Sequence, residues 1–559
     1  MTSSSSLFVF FFIHMILQLP RPTAARCRTA NRAECRRHQD FVPGWDLAGE
    51  GIDVTTLRQT GYFPVDTQKF ERPDGTCTLC RNDLQEGQYQ RLPLAITDWR
   101  TKGTNCERNV FKTEANSIME VAAETSKKIQ NDWKQGLEVQ PKPGIDIRMS
   151  VAASHSKAAD FAAGKTHQDE YSFTIDTAQC SRYRFHLVQR PPLTQEFLQA
   201  LKSLPHKFNT STITDYYRFI TNYGTHFLKS VELGGRTTDI TALRTCKLAL
   251  DGLKSNEVSA CLQVEAAVSV GAAVATSELK KCEEDKKKHN IKVSFHNTYS
   301  ERKVEVEGGD LNGGSLELLF SDQDGSTKFS EWTKSLSSKP GLVSYNLESL
   351  HFLLRSKNPW REELRRAVSH YVNSRARWQN CSKPCPPGQK KNPRDSCQCV
   401  CQASTFTNGD CCPKENGLAH LEVSNFSASH LWGDYSTPTD AYIKAFFGNK
   451  ELRTPVIWNS NNPKWNTKLD FGTVQLVVGA PLRLQVWDAD HGWDDDLLGS
   501  CDHQPVAGGQ WEHCHFQHGA LKFHYQVTCK PHLKGTKCLD YAPHGTLGEP
   551  VGNRSGAVW

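Results

Sequence analysis

Seven of the twenty cysteines in this chain fall within one short stretch: Cys381, Cys385, Cys397, Cys399, Cys401, Cys411 and Cys412, threaded through Pro384, Pro386, Pro387, Gly388 and Pro393. A segment so short buries no core of its own, so covalent cross-links have to hold it. Seven is odd, and the thiol left over is expected to reach into another part of the chain, although spacing does not give the pairing. Zinc bound by thiolates is the alternative, disfavoured where thiols are oxidised. Elsewhere the cysteines cluster at Cys27, Cys35, Cys77 and Cys80, then thin out to Cys106, Cys180, Cys246, Cys261 and Cys282. The knot therefore separates a long cysteine-poor region from the segment beyond Pro413.

The compartment agrees with the thiols. Leu7 to Leu19 is an apolar run of secretory length, and the small residues at Pro22 to Ala25 offer a cleavage site, although the preceding MTSSSS carries no Lys or Arg. Asn209, Asn380, Asn425 and Asn553 stand in N-x-[ST] sequons and are expected glycan acceptors. No other apolar run reaches the roughly 18 residues of a spanning helix, so a soluble secreted product is expected. A length of 559 residues implies roughly three or four domains. A net charge of +6 with 23% charged residues is no nucleic-acid signature.

Beyond Pro413, short apolar runs such as Ala441 to Phe447 and Leu482 to Trp487, separated by Gly, Asn and Pro turns, predict an all-β sandwich. Asp488, Asp490, Asp494, Asp495 and Asp496 crowd one predicted loop, and Asp434 and Asp440 lie in another. Such carboxylates repel unless a cation neutralises them. Calcium takes six to eight oxygens, whereas magnesium prefers fewer carboxylates and keeps its waters. The pattern Asp-x-Asp-x(5)-Asp-Leu-Leu-Gly resembles the C2 domain family. That resemblance implies Asp434, Asp440, Asp488, Asp490 and Asp496 as calcium ligands, with Asp495 as an extra one and the Asp494 side chain turned away. Trp432, Tyr435 and Trp493 flank these loops, where their rings suit a membrane interface; the alternative is that they cover the sandwich end. Mutual repulsion would make the carboxylates protonate early, so an acidic store is expected to blunt calcium binding.

The middle region contains Tyr216, six residues, then Tyr223-Gly224-Thr225-His226-Phe227, followed by Val231-Glu-Leu-Gly234-Gly235. This is similar to the signature of the membrane-attack-complex/perforin family, and with the knot and the acidic loops the resemblance spans nearly the whole mature chain. It implies an α+β multidomain protein: a MACPF/CDC domain with a bent antiparallel sheet flanked by two helical clusters, an EGF-like disulfide module, and a C-terminal C2 β-sandwich. The expected divisions are a signal peptide at 1–25, the pore-forming domain at 26–378, the disulfide module at 379–413, the C2 domain at 414–535 and a tail at 536–559. His226 has no acidic, Ser or Cys partner at a recognisable spacing and reads as a packed structural residue. Gly234 and Gly235 ask for a bend or a close backbone approach, which the resemblance makes a hinge.

Two segments share one plan. Ile145, Ile147, Met149 and Val151 alternate with polar residues, as do Tyr171, Phe173 and Ile175, and a helix-forming stretch from His155 to Glu170 separates them. Downstream, Leu262, Val264, Ala266, Val268, Val270, Ala272 and Val274 alternate, as do Ile291, Val293 and Phe295, around a charged helical stretch from Thr276 to Asn290. The expectation is strand, helix, strand in each. The resemblance implies that both helical clusters unwind into membrane-inserting β-hairpins. Four strands from one molecule leave edges that cost several kcal/mol per unpaired group in lipid, so copies must close into a ring or arc. The implied partners are a target-cell phospholipid membrane, further copies of the chain and granule proteases, with release from cytolytic granules. Ala159 stands where a phosphate-binding loop needs Gly, and no G-x-S-x-G or H-E-x-x-H occurs, so no enzyme is expected. A non-lytic adhesion protein and a calcium-dependent lipid hydrolase are the alternatives.

Overall fold

The computed structural model describes residues 27–103, 106, 108–139, 147–311, 317–321, 325–385, 389–433, 435–476, 480–490 and 494–543. The leader, Ile145, Asp434, Trp493 and Asn553 lie outside the described residues.

Two long strands, Tyr171–Leu187 and His226–Arg244, pair antiparallel from Ser230 opposite His186 to Arg244 opposite Tyr171. They form the middle of an eight-stranded sheet whose outer strands change halfway along. On the His226–Arg244 strand, Gly341–Ser349 pairs as far as Gly234, and Arg302–Glu307 takes over at Arg236. On the Tyr171–Leu187 strand, Ile96–Thr101 ends opposite Tyr183, and Val110–Ala115 begins opposite Ala178. At the changeover the ladder slips between Leu233 and Gly234, leaving Arg182 as an extra residue. Such a bulge bends and twists the sheet.

Side chains are excluded at this bend. A Cβ on Gly234 would lie 1.9 Å from the Cys180 carbonyl oxygen, and one on Gly235 would lie 2.5 Å from the Trp332 ring. Trp332, buried on the Gly325–Ser335 helix, donates its indole N–H to the Gly308 carbonyl at 3.0 Å and wedges the bend.

A helical cluster interrupts the chain on each side. The first, with helices Ile118–Ser126 and Lys157–Thr166, lies between Val110–Ala115 and Tyr171–Leu187; it packs on Tyr171, Phe173, Ile175, Ile240 and Ala242. The second, with helices Ser255–Ser269 and Thr276–Lys288 joined by a Cys261–Cys282 disulfide, lies between His226–Arg244 and Arg302–Glu307. It covers the opposite face, against Val110, Ala178, Cys180 and Leu243.

Three strand expectations need correction for this conformation. Leu262 to Ser269 is helical, part of Ser255–Ser269, and Val270 to Val274 is irregular. Ile291 and Val293 lie in a non-strand segment, and Phe295 opens a short helix, Phe295–Thr298. Of the strand expected over Ile145 to Ala153, the described residues keep only Ile147–Ser150, paired with Arg377–Asn380, while Val151 turns into the core. The reason is tertiary. Ala-, Leu- and Glu-rich sequence such as Leu262 to Ser269 is permissive for helix, and a helix needs no partner strand for its hydrogen bonds. The alternation then fits this conformation poorly: Leu262 and Ala266 are buried, but Val268 on the helix is 52% exposed and Val293 in the irregular segment 55% exposed.

All seven knot cysteines form disulfides, which removes the zinc alternative. The pairs are Cys381–Cys397, Cys385–Cys399 and Cys401–Cys411, and the seventh, Cys412, reaches Cys246 beside the second cluster. The C-terminal region is the expected sandwich of a five-stranded and a four-stranded sheet over a core that includes Phe426, Phe471, Leu484 and Phe523.

Gly234→Ala is expected to cost about 2 kcal/mol or more by overpacking against backbone that has no room to yield. Gly164→Ala, where a Cβ meets nothing within 4 Å, is expected to be neutral or slightly stabilising in its helix. Thermal unfolding of the two variants measures the difference.

Candidate functional site

The Tyr216 to Phe227 signature forms a buried joint. Helix Ile213–Tyr223 buries Tyr216, whose hydroxyl donates to the Pro205 carbonyl at 2.8 Å, and packs Tyr223 against Phe197 and Phe219. Gly224 ends the helix at φ 82°, and a Cβ there would lie 2.5 Å from the Ile52 backbone nitrogen; only glycine combines that conformation with that approach. The Thr225 hydroxyl accepts from the Val54 N–H at 2.9 Å. His226 is fully buried: Nε2 donates to the Trp133 carbonyl at 3.0 Å, and Nδ1 lies 2.8 Å from the Thr225 hydroxyl. Because a carbonyl only accepts, Nε2 carries a proton, and burial disfavours a second one on Nδ1. Burial pushes its pKa down to about 4. His226 is a structural residue, and the joint anchors the long strand that leads to Gly234 and Gly235.

At one end of the sandwich the two acidic loops converge. Asp488 is buried; its Oδ1 accepts from the Asp440 N–H at 2.7 Å, and the Ala489 N–H donates to the Asp440 carbonyl at 2.9 Å. Asp496 stands directly across the ladder from Asp488. Gly433 passes so near that a Cβ there would lie 1.6 Å from Asp488 Oδ2, so the first loop cradles that carboxylate with backbone. Asp495 is engaged by the protein itself: it accepts from the Tyr442 hydroxyl at 2.7 Å and from the Asp490 N–H at 3.1 Å. Burial first, and then this bond to Asp495, push the Tyr442 pKa up to about 12. Asp494 is exposed. An all-oxygen donor set of this kind suits a hard cation.

The rings at this tip are exposed. Tyr435 is 97% exposed and meets Trp432 edge-on at 5.4 Å. The sequence reading missed a third loop. The Asn459 N–H donates to Asp440 Oδ1 at 2.6 Å, Asn461 Oδ1 accepts from the Thr439 N–H at 2.9 Å, and Trp458, next to Asn459, is 61% exposed. The available signal was a tryptophan set in a run of Asn and Ser, Trp458-Asn-Ser-Asn-Asn-Pro463.

Of the segments expected to insert, Tyr171, Phe173 and Ile175 are strand residues buried beneath the first cluster, and Leu262, Val264 and Val270 are buried in the second. Ile147, Met149, Val274 and Ile291 are half-buried. Asn209, Asn380 and Asn425 stand at or near the surface.

A family model described as MAC/Perforin domain matches residues 42–380, one described as Perforin-1-like EGF domain matches 380–414, and a C2 domain model matches 419–510. Perforin-1 of Mus musculus is 58% identical over 98% of this chain and 99% of its own length. Perforin-1 of Homo sapiens is 58% identical over 95% of this chain and 96% of its own. Complement component C8 alpha chain of Oryctolagus cuniculus is 25% identical over 73% of this chain and 72% of its own.

The neutral His226 sets a pH dependence. In the unfolded chain it protonates near its ordinary 6.5, but in the fold only near 4, so stability is complete above about pH 6.5 and is lost as pH falls through that window. The loss is on the order of 3 kcal/mol by linkage. His226→Gln is expected to lower stability at neutral pH and to flatten this acid limb, as read by denaturant unfolding across pH.

Proposed function

The chain belongs to the MAC/perforin family, and from that premise we propose that it is a calcium-dependent pore-forming cytolysin. The observation that carries this reading is where the helical clusters sit. Each occupies the position of a hairpin turn: the first joins Ala115 to Tyr171, and the second joins Arg244 to Arg302, at the top ends of strand pairs already in register. Each interruption is about 55 residues. Extended at about 3.3 Å per residue, half of it reaches roughly 90 Å, against a hydrocarbon layer of about 30 Å. Straightening either cluster would simply lengthen the existing ladder.

The alternating residues supply the right faces for that extension. Val268 on its helix and Val293 in the irregular segment stand exposed, yet in a strand they fall in line with Leu262, Val264, Val270 and Val274, and with Ile291 and Phe295. A period of two maintained in a segment that folds as helix supports a second, strand conformation. The new edges would be unpaired in lipid, so closure with neighbouring copies into a ring or arc is required. The alternating polar residues would line a water-filled channel wide enough to pass effector proteases from cytolytic granules. A secreted route with glycans on the sequon asparagines accords with the ten disulfides.

Docking is assigned to the sandwich tip. Asp440, Asp488, Asp490 and Asp496, with Asp434 from the same loop as Asp440, would hold calcium, and Asp495 would orient the loop through Tyr442. Bound calcium supplies positive charge that lipid phosphates can share. Trp432, Tyr435, Trp493 and Trp458 would enter the interfacial layer beside it.

Two outcomes test this. Asp488→Asn is expected to abolish calcium-dependent sedimentation with phospholipid vesicles, and Trp458→Ala to weaken it about tenfold. Independently, Ser172 and Ser255, whose hydroxyls lie 2.9 Å apart, join the sheet to the second cluster. A Ser172→Cys/Ser255→Cys protein, oxidised, is expected to bind vesicles but release no calcein, and to regain release on mild reduction. Undiminished release by the oxidised protein would refute insertion of that cluster.

A further inference from the structure

Beneath the second cluster the sheet presents a polar face that is sealed from water. Asp176 and Asp239 stand directly opposite each other across the two long strands, both fully buried, and Thr241 faces Thr174 one pair further on. Neither oxygen of either aspartate has a hydrogen-bond partner among the described residues, and the same holds for the hydroxyls of Thr237, Thr241 and Ser259. The covering helix contributes a polar stripe of its own. Ser255 bonds Ser172 at 2.9 Å, Gln263 bonds the Val110 carbonyl at 3.3 Å, and Ser259 lies between them on the same helical face.

Two carboxylates opposed in a dry layer do not both stay ionised unless cations neutralise them. The charged groups set against this pair are few. Lys112 is the cross-strand neighbour of Asp176, but its ammonium is engaged by Glu114 at 3.0 Å. Arg302, on the opposite edge strand, donates to the His296 carbonyl and lies over the Phe320 ring at 4.6 Å. Glu317 adds negative charge near Asp239. On the covering helix, Glu265 faces His296 and Lys286 instead. Burial, above all, raises the Asp239 pKa to about 7.

We propose that the Asp176–Asp239 pair is a proton-operated latch for the second helical cluster: protonated carboxyls keep the cluster seated on the sheet, and ionisation lifts it off. This rests on the pore-forming reading and adds to it a control separate from the calcium tip. The sign is that of a raised carboxyl pKa. The seated form gains stability below the ordinary carboxyl range, and loses it as pH rises through about 7. On ionisation each carboxyl O–H passes its proton to water, and the charged pair gains hydration only when the helix leaves. In an acidic store the cluster is held shut; in neutral fluid it is poised to open, and the same aspartates then face the water of a channel.

The test uses the full chain without calcium, so that the sandwich tip plays no part. Hydrogen exchange of residues 255–288, corrected for intrinsic rate, is measured at about pH 5.5 and about pH 7.5. Local opening is expected to be about tenfold more frequent at the higher pH, and in Asp176→Asn/Asp239→Asn the two conditions should agree within about twofold. A local readout is needed because His226 gives global unfolding the opposite dependence. Equal opening of the unmodified chain at both pH values overturns the latch, as does a full pH response in the double variant. If the double variant does not fold, Asp239→Asn alone is compared in the same way. On vesicles with saturating calcium at neutral pH, the double variant should bind normally and release calcein at least tenfold more slowly; release at the normal rate would also overturn the proposal. If the unmodified chain releases no calcein at all, the pore-forming reading fails, while the exchange result still decides whether the latch exists.

Discussion

The structure depends on backbone hydrogen bonds that pair four strands of the sheet and can be continued. Four strands, Val110–Ala115, Tyr171–Leu187, His226–Arg244 and Arg302–Glu307, run side by side to a common end. There the pairing stops because the chain enters helices, and helices satisfy their own N–H and C=O groups. The arrangement therefore pairs the backbone of both clusters within one copy. Neither strand pair closes in a tight turn, so the ladder can also be extended. Whether the chain remains helical is decided by what holds each cluster on its face of the sheet.

The two faces are held differently. The first cluster lies on rings and aliphatic groups, among them Tyr171, Phe173 and Ile240, and its hold is the burial of apolar surface. Part of the second lies on hydroxyls and two opposed carboxyls, where the hold varies with protonation. The bend between the halves of the sheet is a separate element. Gly234 and Gly235 allow the backbone and Trp332 to approach, and the signature joint around His226 fixes the long strand below it. Protonation therefore acts with opposite sign at two levels of one strand: acid weakens the joint at His226 and tightens the seat at Asp239.

The sandwich shows how a tip can be read from its acidic residues yet missed in its extent. Asp440, Asp488 and Asp496 were legible as one group of carboxylates, and the structure brings these three together. Asp495 was legible as part of the same cluster; its bond from Tyr442 was not, because it joins strands far apart in the chain in a way that spacing does not encode. Trp458 belongs to a loop without acidic residues. Only the backbone bonds between its neighbours and the Asp440 and Thr439 loop reveal that it shares their surface.

What this sequence settled by itself was the inventory: sheet, knot and sandwich in order, the signature, the glycines of the bend, and the alternating segments. Each of these is a local pattern, and local patterns follow from side-chain periodicity and backbone conformation. The same alternation led to strands at Leu262 to Val274 and at Ile291 to Phe295 where this fold has helix and irregular chain, because periodicity reports which conformations a segment accepts and the available partners select among them. The destination of the seventh knot cysteine at Cys246, the facing of Asp176 and Asp239, and the third loop at the tip were decided by tertiary structure alone. They depend on contacts between elements far apart in the chain; for Asp176 and Asp239 a one-residue shift in strand register would send the side chain to the other face.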